Sequence, residues 1–155
     1  MAISLPPMPR LIASWFGSGL LLRAMRGSDT GSGTVGAALA LVMSVGLGLM
    51  GWWVQALATV TVAAVSVWAA GRFTEEGDPA WVVVDEAAGM FLATIGLVGW
   101  SAAVAFVVFR IADIFKQTPG VGVAERVHGG WGVTADDLVA GLYGLAAGWA
   151  FQILA

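Results

Sequence analysis

The sequence predicts an all-α membrane protein: a polytopic bundle of about five transmembrane helices with an interfacial or re-entrant helix at its N-terminus. Asp, Glu, Lys and Arg make up only 11% of the 155 residues, whereas soluble domains carry roughly a quarter. The mean hydropathy is +0.87, and the 22 glycines are typical of closely packed transmembrane helices. The length suits a single domain, with residues 1–33 as the N-terminal segment and residues 34–155 as the bundle.

The first apolar run, Leu11 to Leu22, is too short to cross a membrane. Its about 12 residues fall well below the roughly 20 that a transmembrane helix needs. The run follows Arg10, contains Gly17-Ser18-Gly19 and precedes Arg23, without the small-residue cleavage pattern of a signal peptide. We therefore expect it to stay in the mature protein as the interfacial or re-entrant helix.

Five longer apolar segments follow and predict the transmembrane helices. Each has about 16 to 19 residues, which is short for a span and implies a compact bundle or a locally thinner bilayer. Tight turns at Gly51 and Gly99 join the first segment to the second and the third to the fourth, giving two hairpins. The segments are Val35–Met50, Trp52–Ala70, Trp81–Val98, Trp100–Phe115 and Leu138–Leu154.

The order of these segments places every Asp, Glu, Lys and Arg on one side of the membrane. If each segment crosses in turn, the opposite side receives none of the 17 ionisable side chains of these types. By the positive-inside rule, the charged side is the cytoplasm. The basic residues on that side are Arg10, Arg23, Arg26, Arg72, Arg110, Lys116 and Arg126.

Five carboxylates adjoin or enter the apolar segments on this side. Carboxylates are expensive at membrane depth and are rarely found there without a metal, a partner or a chemical role. The topology brings them together at the cytoplasmic ends of one bundle, which predicts a membrane-embedded acidic site. They are Asp85 and Glu86 in the third segment, Asp113 in the fourth, and Asp136 and Asp137 before the fifth.

The fourth segment carries one carboxylate between two cations. Arg110, Asp113 and Lys116 are spaced three apart, so they lie along one strip of a helix. One explanation is a structural ion pair with side chains that snorkel to the interface. The other is that Asp113 binds a divalent cation while Arg110 and Lys116 hold phosphate oxygens.

Asp136 and Asp137 allow a similar choice. At a helix N-terminus the macrodipole would favour both, and Thr134 or Asp136 would act as the cap. Small residues at spacing four would instead allow close packing and turn Asp136 toward the bundle interior. These residues are Ala140, Gly144 and Gly148, and Gly89 is a comparable small residue one turn below Asp85.

The residue types favour a hard metal ion and a phosphate. The chain has no cysteine and a single histidine, so oxygen ligands favour Mg²⁺, or Mn²⁺ or Ca²⁺, over zinc. His128 lies in a glycine-rich loop, where we expect it to be either simply exposed, or a phosphate contact or proton donor. Glycines in the same loop would allow backbone amides to approach a phosphate, and the glycine-rich stretch before the first segment would serve either helix packing or, with its hydroxyls, a phosphate contact. The latter candidates are Gly129, Gly130, Ser32 and Thr34.

An ordered set of motifs resembles the phosphatidylglycerophosphatase A family of bacterial membrane phosphatases. The resemblance covers roughly residues 14 to 145. Two loops depart from the family pattern: Gln117 and Thr118 precede Pro119, and Gly-Ser-Gly-Thr replaces Pro-Gly-Thr before the first segment. The matches are Phe16-Gly17-Ser18-Gly19-Leu20, Gly33-Thr34 with Gly36, Val84-Asp85-Glu86 with Gly89-Met90, Phe109-Arg110-Ile111 with Asp113 and Lys116, and Val127-His128-Gly129-Gly130 through Asp136-Asp137 to Ala140-Gly141.

The resemblance implies Mg²⁺-dependent hydrolysis of phosphatidylglycerophosphate to phosphatidylglycerol. The enzyme would be a multi-pass protein of the bacterial plasma (inner) membrane, with its site facing the cytoplasm and its phospholipid substrate in the cytoplasmic leaflet. Asp85 or Glu86, with Asp113, Asp136 and Asp137, would supply the Mg²⁺ ligands. Arg110, Lys116 and backbone amides around Gly129-Gly130 would neutralise the phosphoryl oxygens, and an unligated carboxylate or His128 would handle protons.

Two other functions fit part of the pattern. A lipid phosphotransferase also uses acid-rich helices near the cytoplasmic face, but its Asp-Gly-x-x-Ala-Arg signature is absent from the sequence. A cation channel or transporter would explain intramembrane carboxylates, but these acids lie at one end only. Nothing in the sequence indicates nucleic-acid binding, and the oligomeric state stays open.

Overall fold

The computed structural model describes residues 7–73, 79–115, 117–121 and 129–155, and in these residues the chain is helical without strands. The predicted all-α class is therefore confirmed. The helices are α1 (Met8–Ala13), α2 (Ser18–Arg26), α3 (Ser32–Gly48), α4 (Trp52–Ala70), α5 (Val84–Ala93), α6 (Gly99–Ile114) and α7 (Gly130–Leu154).

Two of these helices, α4 and α7, are long and apolar enough to cross a membrane by length and composition. They have 19 and 25 residues, and α3 is a shorter apolar helix of 17. The second, first and fourth predicted segments correspond closely to α4, α3 and α6. The topology of about five spans stays a prediction.

The third apolar segment does not form the helix expected over Trp81–Val98. Only Val84–Ala93 is helical, and the residues on either side of it form turns or extended chain. This short helix, α5, is nearly all buried and packs against α3, α4, α6 and α7. A segment surrounded by other helices has an apolar sequence whether or not its helix is long enough to cross a membrane. The hydropathy of the segment therefore overestimated the length of the helix.

A buried polar network holds the carboxyl end of α5. The Gln55 side chain of α4 donates from Nε2 to the carbonyl oxygens of Ser44 (3.0 Å) and Thr94 (3.1 Å), and its Oε1 accepts the Gly96 N–H (2.8 Å). Thr94 Oγ1 lies 2.7 Å from Ser44 Oγ and 2.8 Å from the Met90 carbonyl oxygen. Because Ser44, Gln55 and Thr94 are fully buried, their mutual hydrogen bonds allow the helix to end inside the bundle.

The N-terminal apolar run forms two short helices rather than one. Between α1 and α2, Trp15, Phe16 and Gly17 have consecutive positive φ angles of 47°, 58° and 87°. Left-handed conformations cost non-glycine residues on the order of 1 to 3 kcal/mol each. Burial of the Trp15 ring, edge-on to Phe91 with centroids 5.8 Å apart, offsets this cost and docks the segment on α5.

The same segment also holds the chain leading into α5. The Val83 N–H donates to the Ala13 carbonyl oxygen at 2.9 Å. A Cβ on Gly19 would lie 2.1 Å from the Trp81 carbonyl oxygen, so this contact requires a glycine. On its outer side α2 exposes Leu21 and Met25 beside its two arginines, a pattern typical of an interfacial helix.

Replacement of Gln55 by alanine should destabilise the protein. It leaves the Gly96 N–H without its side-chain acceptor and removes the donor to two buried carbonyls. Each buried group left unsatisfied costs about 1 to 3 kcal/mol, so the melting temperature in detergent should fall clearly. Thr61→Ala on the same helix is the control, because Thr61 is exposed and bonds only to Leu57 of its own helix. Equal melting temperatures for the two variants would contradict the role of the network.

Candidate metal centre

All five predicted carboxylates line one cavity of about 240 Å³, together with Ile114 and Val133. The cavity lies where the N-terminal turn of α5, the C-terminal turns of α6 and the early turns of α7 meet. Acids separated by up to 52 positions in the sequence are thus brought together. They are Asp85, Glu86, Asp113, Asp136 and Asp137.

The first turn of α5 contributes Asp85 and Glu86. Their position at a helix N-terminus is favourable for carboxylates, because the macrodipole places partial positive charge there. Asp85 is 6% exposed and Glu86 is half-buried. The bond from Val83 to Ala13 fixes the chain just before them, so the N-terminal segment helps to set the position of both acids.

The helix α7 begins earlier than predicted, and helix capping therefore does not explain its two acids. The helix begins at Gly130 with Gly129 at its N-cap, so Asp136 and Asp137 lie in its second turn. The expectation that Thr134 or Asp136 caps the helix is therefore wrong, and Thr134 Oγ1 instead lies 2.7 Å from Ser66 Oγ on α4. The dipole effect is largely confined to the first turn. Neither capping nor the dipole accounts for two acids that are only 7% and 4% exposed.

A close crossing of α5 and α7 brings their acids together. A Cβ on Gly89 would lie 2.5 Å from the Asp137 carbonyl oxygen, and a Cβ on Gly141 would lie 2.5 Å from the Gly89 carbonyl oxygen. Neither position has room for a side chain. The predicted strip of small residues along α7 is also buried, and Gly144 approaches the Ala105 carbonyl of α6 in the same way.

Three of the carboxylates can hold a metal ion. One oxygen from each of Asp85, Glu86 and Asp137 lies within 4.8 Å of the others. Ions with metal–oxygen distances of roughly 2.0 to 2.6 Å join oxygens up to about 5 Å apart. Asp137 Oδ1 and Glu86 Oε2 are buried and have no hydrogen-bond partner among the described residues. Buried, unpartnered carboxylate oxygens are the donor type that Mg²⁺ prefers.

Arg110 and Asp113 form a partly buried ion pair at the edge of the cavity. Arg110 Nη1 donates to Asp113 Oδ2, and the two side chains are 12% and 15% exposed. The predicted structural ion pair is therefore present. A Cβ on Gly33 would lie 2.2 Å from Glu86 Oε1 and 3.1 Å from Arg110 Nη2, so the start of α3 leaves room for both side chains. A guanidinium at this place puts positive charge beside the acids.

The other predicted phosphate contacts differ in their burial and packing. Ser32 is buried at the start of α3 with its hydroxyl unpartnered among the described residues, whereas Thr34 is exposed. Gly130 packs on the end of α4, where a Cβ would lie 2.0 Å from the Val67 carbonyl oxygen, so packing requires this glycine. Gly129 has a φ of 83° and open space around it. Lys116 and His128 lie outside the described residues.

Two glycines of the site, Gly141 and Gly33, were named only as parts of the family motifs, and their role in positioning the acids was not predicted. Gly141 follows Asp137 by four and therefore lies on the same strip of α7, a spacing that could have identified it. No spacing in the sequence links Gly33 to the acids, because its neighbours Glu86 and Arg110 come from two other helices.

Comparison with known proteins identifies relatives along almost the whole chain. A family model described as Phosphatidylglycerophosphatase A matches residues 11–152. A Bacteroides thetaiotaomicron protein named "Putative phosphatidylinositol-3-phosphatase" is 34% identical over 148 residues, covering 88% of each chain. No solved structure matches the chain significantly.

Two further relatives carry the name Phosphatidylglycerophosphatase A. The Escherichia coli K12 protein is 31% identical over 157 residues, covering 93% of this chain and 87% of the relative. The Haemophilus influenzae protein is 30% identical over 156 residues, covering 97% and 92%.

Replacement of Gly89 by alanine should force α5 and α7 apart. The added methyl would meet the Asp137 carbonyl oxygen at 2.5 Å and the Phe109 ring at 2.6 Å, and overpacking of this kind costs about 1 to 3 kcal/mol. Gly46→Ala in α3 is the matched control, because nothing lies within 4 Å of its added Cβ. We expect a lower melting temperature in detergent for Gly89→Ala only. Similar melting temperatures for both variants would show that the crossing is not tight.

Proposed function

The chain belongs to the phosphatidylglycerophosphatase A family of phosphatases, and on that premise we propose that it removes the terminal phosphate of phosphatidylglycerophosphate in a Mg²⁺-dependent reaction. Water attacks the phosphorus, the phosphorus–oxygen ester bond breaks, and the leaving glycerol oxygen takes a proton. The products are phosphatidylglycerol and inorganic phosphate. The observation that carries the proposal is the cavity in which five carboxylates meet beside a partly buried arginine.

Asp85, Glu86 and Asp137 would hold the Mg²⁺ ion, with Asp113 and Asp136 beside them. A bound Mg²⁺ supplies positive charge that polarises the phosphoryl group and lowers the pKa of a bound water. The unpartnered oxygens of Asp137 and Glu86 support this assignment. Without a cation, these acids would repel one another in a site that is largely shielded from solvent.

Arg110 would hold the phosphoryl oxygens of the substrate. Its guanidinium lies beside Glu86 and Asp113, and its Nε has no partner among the described residues. A guanidinium presents several donors in a fixed plane and remains charged when buried, which suits a phosphate. Lys116, Ser32, Thr34 and the amides of Gly129 and Gly130 are further candidates for this contact. His128, or a carboxylate that does not bind metal, would transfer protons.

The substrate would come from the cytoplasmic leaflet of the bacterial plasma membrane. The helices α4 and α7 are apolar and long enough to cross it. The cavity lies near the N-terminal end of α7 and the C-terminal end of α6, which are cytoplasmic by the positive-inside rule. A phosphate attached to a lipid of that leaflet would lie at this depth.

The alternatives explain the site less well. A channel or transporter needs charged or polar groups along its path, but the acids lie at one end of the bundle only, and α5 and α7 pack closely at Gly89 and Gly141 next to them. A lipid phosphotransferase would need the signature that the sequence lacks. Phosphatidylinositol 3-phosphate is a second candidate substrate, because one relative is named for that activity.

Asp137→Asn tests the proposed metal ligand. The amide keeps the shape of the side chain but removes its negative charge, so Mg²⁺-dependent release of phosphate should fall at least about 100-fold, the upper range for loss of a residue that only supports a metal ligand. Asp29→Asn, just before α3, is the control because Asp29 lies outside the cavity and forms its one ion pair among the described residues with the exposed Arg23. Near-normal turnover by Asp137→Asn would exclude Asp137 as a ligand.

The same assay tests the substrate. Purified protein in detergent would receive phosphatidylglycerophosphate, phosphatidylinositol 3-phosphate or phosphatidic acid, with Mg²⁺ or with a chelator. We expect phosphate release mainly from phosphatidylglycerophosphate and only with Mg²⁺. Preference for either other lipid would overturn the assigned substrate, and full activity with the chelator would overturn the metal dependence.

A further inference from the structure

An apolar groove of about 470 Å³ lies between α4 and α7, the two helices that are long and apolar enough to cross a membrane. On each helix its lining residues are spaced three or four apart, so they form one face of that helix. The groove therefore follows the length of the two helices. Its lining residues are Val60, Ala63, Ala64 and Val67 of α4 and Trp131, Thr134, Ala135 and Leu138 of α7.

Two contacts between α4 and α7 define the cytoplasmic end of the groove. A Cβ on Gly130 would lie 2.0 Å from the Val67 carbonyl oxygen and 2.9 Å from the Gly71 nitrogen, so the start of α7 packs on the end of α4. One turn further along α7, Thr134 Oγ1 lies 2.7 Å from Ser66 Oγ. The helices are antiparallel here, and seven residues of each give the groove a length of about 10 Å.

The groove is separate from the acidic cavity. Among the described residues, no side chain lines both. Ala135 and Leu138 flank Asp136 and Asp137 in the sequence, but at 3.6 residues per turn the groove residues and the acids lie on roughly opposite faces of α7. The helix itself therefore stands between the acids and a molecule bound in the groove.

The shape and chemistry of the groove fit an acyl chain. Val60 and Trp131 are 67% and 69% exposed, and Ala64 is exposed, so the groove opens on the outer surface of the bundle. In a membrane that surface is surrounded by lipid chains, which are as apolar as leucine side chains. The Thr134 hydroxyl is already paired with Ser66, which leaves a mainly hydrocarbon lining. A linear apolar chain fills such a groove without needing a hydrogen bond.

A cation and two indoles lie at the cytoplasmic end of the groove. The Arg72 guanidinium lies over the Trp68 ring, with its Cζ 4.4 Å from the centroid, and Trp68 directly follows Val67 of the lining. Trp131 forms the opposite wall at this end, and tryptophan is favoured at the level of lipid headgroups. A guanidinium presents several donors in one plane, which suits a phosphate.

We propose that this groove binds one anionic phospholipid that is not the molecule being hydrolysed. One acyl chain lies between α4 and α7, and the lipid phosphate lies beside Arg72. A net negative headgroup is preferred, because the ammonium group of a zwitterionic lipid weakens its attraction to an arginine. The site goes beyond the proposed phosphatase function. Phosphatidylglycerol, the product of the proposed reaction, belongs to this class of ligand.

Native mass spectrometry of the full-length protein tests the site without reference to activity. Delipidated protein in detergent would receive phosphatidylglycerol or phosphatidylcholine with the same palmitoyl and oleoyl chains, over the same range of concentration. We expect one phosphatidylglycerol to be retained per chain. Retention of phosphatidylcholine should be about fivefold weaker, the effect of a single arginine near an anionic lipid surface.

Two variants separate the acyl chain from the headgroup. Ala64→Leu fills the groove from an exposed position and should weaken the retention of both lipids, whereas Arg72→Gln should abolish the preference for phosphatidylglycerol. The controls are Ala146→Leu, exposed on α7 outside the groove lining, and Arg26→Gln, exposed at the end of α2. Both controls should behave as the wild type does.

Each outcome decides part of the proposal. Equal retention of the two lipids by the wild type would overturn the anionic ligand, and unchanged retention by Ala64→Leu would overturn the groove as its site. An unchanged preference in Arg72→Gln would show that Arg72 only stacks on Trp68. If Ala64→Leu fails to fold, the wild-type preference and Arg72→Gln still decide the question. Retention of phosphatidylglycerol by a protein that hydrolyses none of the tested lipids would overturn the proposed function and leave this site intact.

Discussion

The close crossing of α5 and α7 at Gly89 and Gly141 is the contact on which the site depends. Each glycine lies against the backbone of the opposite helix, and a methyl group at either position would collide with a carbonyl oxygen. Helices that approach this closely place side chains one turn away in the same small space. Asp85 precedes Gly89 by four residues and Asp137 precedes Gly141 by four, so the crossing sets the separation of these carboxylates.

The short helix α5 explains how a polar site is held within an apolar bundle. Its amino end carries two acids at the favourable end of the macrodipole, and its carboxyl end is held by Gln55. Both ends lie among other helices, so their backbone groups need partners from the protein. Ala13 provides one at the entrance through Val83, and Gln55 provides the others. The helix that carries Asp85 and Glu86 is thus held in place by hydrogen bonds at both of its ends.

Packing and charge oppose each other at this site. The fold collects five carboxylates in one small cavity and supplies Arg110 on one side of them. Carboxylates crowded into a cavity raise the free energy of the metal-free protein and favour the binding of a cation there. A lipid phosphate, itself an anion, would be repelled by the acids until cations were present. Metal binding and substrate binding are therefore expected to be linked in this family member.

The sequence alone determined the all-α class, the starts of α4 and α6 at the two glycine turns, and which acids line the cavity. Hydropathy over 16 to 19 residues is a strong local signal, and carboxylates within it are rare enough to single out Asp85, Glu86, Asp113, Asp136 and Asp137. The motif order also indicated the family. Only the tertiary structure decided that α5 is 10 residues long and that α7 begins at Gly130. Both helix bounds depend on which neighbouring helices bury a segment and hydrogen-bond to its backbone. Such contacts, like that of Gly33 with Glu86 and Arg110, produce no periodic pattern in the sequence.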